Sequence, residues 1–511
     1  MGLFVDRHET LERARADFSW EEAWDLVDGT PDAVNAYDEC VGRHEGLAAQ
    51  IIDDQGTIYR YSFADVQREA GRFASLLEEY GIGIGDRVGI VLEPSISFLA
   101  AFFGTLKRGA IAIPAPAYFG PDAVGHRLVD HPVTLLVAPE TVVDGLDVDR
   151  YESWLSPEEA DTERAAQSPD IPTARTAGAD RSWIQFTSGT TGRPTAVPFH
   201  HESPVYWAPL VDFQVNVQPT DRFFTTASPG WGPGVWAGLF GALIFGRPAG
   251  YQAGPFDPTV VIDAITACDI TGLVGAAPTA LRKLVNETTP ETAPELRAIT
   301  YTGEPMDPGL SREVTATFGA FPRGFYGITE LRGNITADYC FPDYDERHGS
   351  LGQPVIGTEV AILDEEGEEL PTGEIGYIAA RRSGDWFISD DLGYVDEDGY
   401  FWSDGRADDV IISAGYTIGP SVVEDALRKH PNVAEAGVIG IPDDERGHVV
   451  KAFVEPAGEP PPDLESSLQD FVRTELSPHE YPREIEMIDE IPTSGWGKIR
   501  RNALRNREGI E

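Results

Sequence analysis

Apolar residues recur at two periods along the chain, and the alternation between them predicts the architecture. Ser62-Phe-Ala-Asp65 reads as a capping-box start to a helix, with Asp where the longer Glu is usual. Val66, Ala70, Phe73, Ala74 and Leu77 then share one helical face, and Gly81 stops the helix. A strand is predicted over 87–92, an apolar helix over 97–106 and a strand over 110–114. Short apolar runs at 133–138, 183–186, 272–275 and 298–301 predict further strands. Strands that alternate with helices predict an α/β protein with mostly parallel sheets. The Pro-, Ala- and charge-rich stretch 158–179 reads as a surface connection. After Gly349 the texture changes. Residues 358–363, a turn at Asp364-Glu-Glu-Gly367, and 376–380 predict an antiparallel hairpin. A smaller unit begins near Arg406, with a helix over 421–429, strands over 436–441 and 449–454, a Pro-rich break at 459–462 and a helix over 464–476. The domain boundary is therefore placed at 405/406, between a large domain 1–405 and a small domain 406–511.

Composition narrows the partners. The 511-residue chain carries 85 acidic against 39 basic residues, a formal charge of −46 spread along its whole length. Five of the basic residues are lysine: Lys107, Lys283, Lys429, Lys451 and Lys498. A dispersed acidic surface with little lysine points to adaptation to high salt, where counterions screen self-repulsion. It argues against nucleic acid or an anionic membrane as partner. Cys40, Cys268 and Cys340 lack metal-ligand spacing and suit structural thiols in a reducing compartment. The N-terminus has no basic region followed by an apolar core, and no apolar run reaches the ~20 residues of a membrane span. A soluble cytoplasmic protein is expected.

The chemistry is carried by short motifs. Trp183–Phe186 runs into a loop of hydroxyls and glycines: Thr187, Ser188, Gly189, Thr190, Thr191 and Gly192, followed by Arg193. Glycines let successive N–H groups turn toward one anion, and the hydroxyls add donors, so such a loop can grip a triphosphate. It is not the G-x-x-x-x-G-K-[ST] pattern. Taken alone it also fits an ordinary turn. Five further stretches accompany it: Thr302-Gly-Glu-Pro305, Phe325-Tyr-Gly-Ile-Thr-Glu330, Asp390-Asp391, Asp404-Gly-Arg-Ala-Asp-Asp409 and Ser494-Gly-Trp-Gly-Lys-Ile-Arg-Arg501.

In order and spacing these six stretches resemble the AMP-forming acyl-CoA synthetases of the adenylate-forming superfamily, over roughly residues 36–505. The resemblance implies a large N-terminal domain of mixed and parallel sheets flanked by helices, with a β-barrel-like subdomain. It adds a small, mobile α+β C-terminal domain. It implies activation of a small carboxylic acid by ATP to an acyl-AMP, then transfer to CoA with release of AMP. Charge neutralisation and positioning are what such chemistry requires, because a negative carboxylate must approach a negative triphosphate. The resemblance makes Glu330 the Mg²⁺ ligand, has Thr329 bond the α-phosphate and stacks Tyr326 on adenine. Gly303, Glu304 and Pro305 would frame the adenine; Asp391 and Arg406 would hold the ribose. Asp408 would be the hinge. Lys498 would enter the site for adenylation, stabilise charge there, and then leave. Ser413, Ala414 and Gly415 would border the CoA tunnel, with Arg500 and Arg501, and further Arg505 and Arg507, for its phosphates. Trp231, Gly232, Trp236 and Gly327 would line the acyl pocket, Gly327 opening volume where strict acetate enzymes carry a ring. His200 and His201 read as packing or substrate-bonding groups, not metal ligands.

Two positions depart from the family pattern. Thr195 stands where the phosphate loop usually ends in lysine, and Thr417 where an arginine is usual. The sequence therefore leaves two other readings beside the synthetase: an adenylating enzyme that loads a carrier protein, and a non-catalytic paralogue. The acid and the oligomeric state stay open, a homodimer included.

Overall fold

The fold was analysed in a computed structural model. It describes every residue except 1–2, 129–130, 145, 147–152, 188–194, 290, 329–330, 332, 383, 407–408, 410, 414–415, 444–446, 477–479, 494–498 and 511. Two compact units emerge: 1–303 with 310–346, and 304–309 with 347–511. The second begins within a few residues of Gly349, where the sequence changes texture.

The first unit opens with short helices α1 (Phe4–His8) and α2 (Leu11–Asp17) and a 3₁₀ turn at Trp20–Leu26. Strands β1 (Leu47–Ile52) and β2 (Ile58–Ser62) lead into α3 (Phe63–Glu79). The capping box forms as predicted: Asp65 N donates to Ser62 Oγ, and Ser62 N to Asp65 Oδ2. Val66, Ala70, Phe73, Ala74 and Leu77 are all buried. Next come β3 (Arg87–Val91), α4 (Ile96–Lys107), β4 (Ile111–Ala115), α5 (Pro121–Leu128), β5 (Leu135–Val137), α6 (Glu140–Val143) and β6 (Ser153–Leu155). Helix α4 buries Phe98, Phe102 and Phe103 almost completely, each contributing about 1.5–3 kcal/mol.

Helix α7 (Pro157–Ala165) corrects the surface connection expected at 158–179. Ser156 and Glu159 cap its start reciprocally, and Arg164 is buried beside Glu69 and Asp161. Only the remainder of the stretch is irregular. After it, β7 (Arg181–Thr187) and β8 (Thr195–His200) complete a sheet of order β6-β5-β3-β4-β7-β8, parallel apart from the β7–β8 pair.

A second sheet follows α8 (Ser203–Val215). Its strands are β9 (Phe223–Thr225), β10 (Ala249–Gln252), β11 (Gly272–Ala276), β12 (Ala298–Tyr301), β13 (Pro322–Ile328) and β14 (Gly333–Ala337), and the order from β14 is 14-13-12-11-9-10-1-2. A π-helical segment (Gly234–Phe240) running into α9 (Gly241–Leu243), then α10 (Pro258–Ala267), α11 (Pro278–Glu287) and α12 (Pro308–Phe318) connect these strands. The runs predicted at 272–275 and 298–301 are β11 and β12.

The second unit holds the two-residue strand β15 (Gln353–Pro354) and then an antiparallel meander. The meander comprises β16 (Glu359–Leu363), β17 (Gly376–Arg381), β18 (Phe387–Val395) and β19 (Phe401–Arg406). The β16–β17 pair is the predicted hairpin, with Gly367 N bonded to Asp364 O in the turn. The rest is a mixed sheet of β20 (Ile411–Ser413), β21 (Tyr416–Ile418), β22 (Val433–Asp443), β23 (Gly447–Pro456) and β24 (Glu484–Met487). Helices α13 (Pro420–Arg428), α14 (Leu464–Glu475) and α15 (Arg501–Glu508) complete it. Its core joins Val423 and Leu427 of α13 to Leu468 and Val472 of α14.

Candidate active site

Between α8 and the second sheet lies an apolar cavity of about 30 Å³. Trp207, Leu210, Val211 and Gln214 of α8 form one side, Trp236, Ala237 and Gly241 a second, and Val274, Thr300, Phe325 and Asn334 the sheet side. Among the described residues no charged side chain lines it. Two of its polar groups are already engaged: Gln214 Nε2 donates to Gly324 O at 3.2 Å, and Thr300 Oγ1 accepts from Gly275 N at 2.9 Å. The Trp236 indole N–H is buried with no acceptor among the described residues. An apolar, uncharged cavity favours an apolar ligand tail and penalises a charged one, which would be buried unpaired.

The loop 228–236 leads to this cavity and is folded tightly on itself. Gly230 N donates to Ser228 Oγ, and Trp231 N to Ser228 O at 2.9 Å. A Cβ on Gly234 would stand 2.0 Å from Ser228 O, so only glycine closes this turn. Gly232 rests on the Trp236 ring, where a Cβ would meet the indole at 3.3 Å. Trp231 lies over Gly303, whose φ of +92° is open to glycine and whose absent side chain leaves room for the indole. The structure thus joins the expected acyl loop to the expected adenine motif at Gly303. Thr302 Oγ1 donates to Phe325 O at 2.9 Å, tying that motif to β13.

Gly327, which the resemblance places in the acyl pocket, lies close to a neighbouring strand. A Cβ there would stand 3.0 Å from Gly333 O and 3.2 Å from Asn334 Oδ1. The space that a side chain would leave is taken by β14, at an irregular step in the β13–β14 register. Gly327 therefore admits the close approach of β14. Tyr326 is half-buried on the same strand.

The phosphate-loop stretch is the connection of a β-hairpin: β7 and β8 pair so that Thr187 opposes Thr195. The unusual threonine thus sits where the loop returns to the sheet. Ser188, Gly189, Thr190, Thr191 and Gly192 lie outside the described residues, as do Thr329, Glu330, Asp408, Ala414, Gly415 and Lys498. His201 is fully buried and accepts from Ala36 N through Nδ1 at 3.0 Å. Burial lowers its pKa to about 4, so it is neutral and packs as a structural histidine. Among the described residues no cluster of three or more His, Cys, Asp or Glu could hold a metal ion, and the three cysteines are unpaired.

In the second unit, β18 and β19 pair Asp391 directly opposite Arg406, the two expected ribose contacts. Asp390 is exposed, whereas Asp391 is half-buried. Glu304 is half-buried and Pro305 exposed. Ser413 is buried and pairs with Gly447 on β23.

A family model described as AMP-binding enzyme matches residues 38–384, and one described as AMP-binding enzyme C-terminal domain matches 422–498. The chain belongs to the AMP-binding enzyme family. The acetyl-coenzyme A synthetase of Bacillus subtilis (strain 168) is 30% identical over 97% of this chain and 95% of its own length. The mitochondrial acyl-coenzyme A synthetase ACSM3 of Rattus norvegicus is 29% identical over 89% and 86%. Among solved structures, an acyl-CoA synthetase of Brucella canis is 31% identical, covers 98% of this chain and 99% of its own, and superposes with a TM-score of 0.75. An anthranilate CoA ligase in complex with anthranoyl-AMP shares the fold, with a TM-score of 0.84 at 24% identity over 96% and 99%. These relatives bear out the fold class and the acid–thiol ligase class of AMP-binding enzyme read from the motifs.

Arg501, which the resemblance places toward CoA phosphates, makes contacts within the second unit: Nη2 and Nε bond Glu424 at 2.7 and 3.2 Å, and Nη1 bonds Asp409 at 2.9 Å. Arg505 bonds the other Asp409 oxygen at 3.0 Å. Glu424 is almost fully buried and also accepts from Val438 N. Arg501 neutralises a buried carboxylate, which a cation released to solvent could not do. Arg500 is exposed at the start of α15. Sequence reasoning missed Trp207, Phe325 and Asn334 in the cavity wall. Helix α8 is apolar on nearly every face, so its period does not reveal which face meets a ligand.

Proposed function

We propose that this AMP-binding enzyme activates a small carboxylic acid with an uncharged, apolar tail, short to medium in length or aromatic, and transfers it to CoA. The observation that carries the substrate reading is the cavity beside β13, apolar and, among the described residues, without a charged side chain in its lining. Its free space of about 30 Å³ favours short aliphatic tails as it stands; an aromatic acid requires Trp207 or Trp236 to move.

The carboxylate would lie where the Trp231–Gly303 contact meets β13, outside the cavity that takes the tail. Thr187, Ser188, Gly189, Thr190, Thr191 and Gly192 would bind the triphosphate through backbone N–H groups and hydroxyls. Tyr326, Gly303, Glu304 and Pro305 would hold the adenine, and Asp391 with Arg406 the ribose. Their opposed places on β18 and β19 support acting as a pair. Thr329 would donate to the α-phosphate. Glu330, with phosphate oxygens and waters, would hold Mg²⁺, which neutralises triphosphate charge when bound; that assignment rests on the Tyr-Gly-Ile-Thr-Glu motif. Lys498 would bond the oxygens between acid and α-phosphate during adenylation and withdraw afterwards, the small domain turning about Asp408 at the 405/406 boundary. Ser413, Ala414 and Gly415 would border the pantetheine path, with exposed Arg500 toward its phosphates.

We read the dispersed acidic surface as salt adaptation, and the three unpaired thiols as residence in the reducing cytoplasm. No helix among the described residues is long and apolar enough to cross a membrane. Release of AMP that depends on both acid and CoA, measured at high salt, tests the transfer step. Acyl transfer only to a carrier protein would overturn it.

A further inference from the structure

The cavity has two walls distant in sequence, and a third segment grips both from outside. One wall is α8, the other is β13–β14 with the residues that follow them. Helix α8 cannot locate itself well: it contains Pro209, which removes a backbone donor, and its N-terminus has no side-chain cap. While Trp207, Leu210, Val211 and Gln214 meet the cavity, Tyr206, Asp212 and Phe213 meet the N-terminal segment. Val5 N of α1 donates to buried Asp212 Oδ2 at 2.9 Å. Phe4 and Phe18 pack edge-on against Phe213, with centroids 6.2 and 5.2 Å apart, and Trp20 and Trp24 pack on Tyr206.

The same segment reaches the other wall. Leu11 N and Glu12 N, at the start of α2, donate to the two oxygens of Asp343 at 2.7 and 3.1 Å. Asp343 follows β14 by a few residues, beyond Phe341, which packs on Phe213, and Cys340, whose N donates to Phe213 O at 2.8 Å. At the cavity itself Gln214 Nε2 of α8 donates to Gly324 O of β13, and outside it the Cys340 and Phe341 contacts to Phe213 join the same two walls. Dense packing makes wall separation a discrete property of such contacts, not a soft one.

We propose that residues 3–26 act as a strap that sets the separation of α8 from β13–β14 and thereby positions the cavity for acids of one tail size. The proposal rests on the cavity being the acid pocket. Removing the strap's hold loosens the walls, so larger tails gain relative to small ones while the nucleotide site is left as it was.

The test uses the full-length enzyme with Phe4→Ala and Asp343→Ala combined. Trypsin cleavage after exposed Arg13 or Arg15 reports release of the strap. Released, the variant is expected to shift the ratio of kcat/KM for a longer over the shortest accepted acid by roughly fivefold or more, the scale of about one methylene in an apolar pocket. KM for ATP stays within about twofold, and Phe4→Leu alone keeps the wild-type ratio. Asp343 is exposed, so Asp343→Ala alone serves if the double variant does not fold. A released strap with an unchanged ratio, or equal losses for every acid and for ATP, overturns the proposal. A strap still resistant to trypsin contradicts the contacts assigned to it. A wild-type enzyme that accepts no acid at all is a different failure, that of the ligase reading.

Discussion

The cavity proposed to take the acid and the charged knot under α15 are held by opposite physics. The cavity is bounded by indoles, a helix and glycine-tight turns, and no charged side chain among the described residues lines it. The knot is Arg501 and Arg505 closed around Glu424 and Asp409, in a protein whose surface carries a large excess of carboxylates. Apolar walls change by increments of volume, so selectivity can drift by one side chain. A buried ion pair has no small steps, because loss of one partner strands the other. Asp409 lies one residue beyond the proposed hinge and Arg501 three beyond Lys498. The knot therefore joins the two ends of the segment proposed to turn together.

The contrast breaks most sharply at Lys498. Lys498→Ala is expected to lower acid-dependent pyrophosphate exchange by about 10²–10³ or more, the scale of losing one charge-stabilising donor, while thioester formation from supplied acyl-AMP persists. Equal loss of both half-reactions would contradict its role. Next is Arg501→Ala, which takes from buried Glu424 its hydrogen-bonded cation and is expected to destabilise the fold by about 3–5 kcal/mol in denaturant unfolding. An effect confined to the KM for CoA, with stability unchanged, would restore the phosphate-contact reading. In the cavity, Trp236→Phe is expected to alter acid preference by about 1–3 kcal/mol in relative kcat/KM toward longer tails, with little change in unfolding.

A smaller effect separates a buried acid in the first unit from the knot. Asp338 is fully buried without a cationic hydrogen-bond partner, accepting from Gly324 N and the Tyr344 hydroxyl, and desolvation raises its pKa to about 7. The folded pKa lies above the unfolded value of about 3.9, so the folded state holds a proton that the unfolded state has lost. That stabilisation is fully present below about pH 4 and is lost as the pH rises toward 7. Asp338→Asn removes the titration, so its unfolding midpoint should fall less than the wild type's from pH 5 to 8. The slope at stake is on the order of 1.4 kcal/mol per pH unit at most. Identical slopes would mean that Asp338 is ionised throughout.

Legibility followed the range of the interactions. The Ser62–Asp65 cap, the 359–363 and 376–381 hairpin and the buried face of α3 depend on neighbours within a turn or a strand, and the chain displays them. Helix α7 was legible too, since Ser156 and Glu159 stand at capping-box spacing, but its polar composition masked it. The strap was not: its helices of five and seven residues are too short for a period to show. Arg501 looked like one of a basic run because its acceptors lie 77 and 92 residues away. The close approach of β14 to Gly327 was not legible, because the sequence does not say which strand crosses against it.

The most direct test of the substrate reading is pyrophosphate exchange at high salt, driven in turn by short aliphatic, medium-chain, aromatic and dicarboxylic acids. Exchange with uncharged tails, strongest for short aliphatic acids and absent for dicarboxylates, is the predicted result. Exchange driven best by a dicarboxylate, or by no acid in the panel, would contradict it.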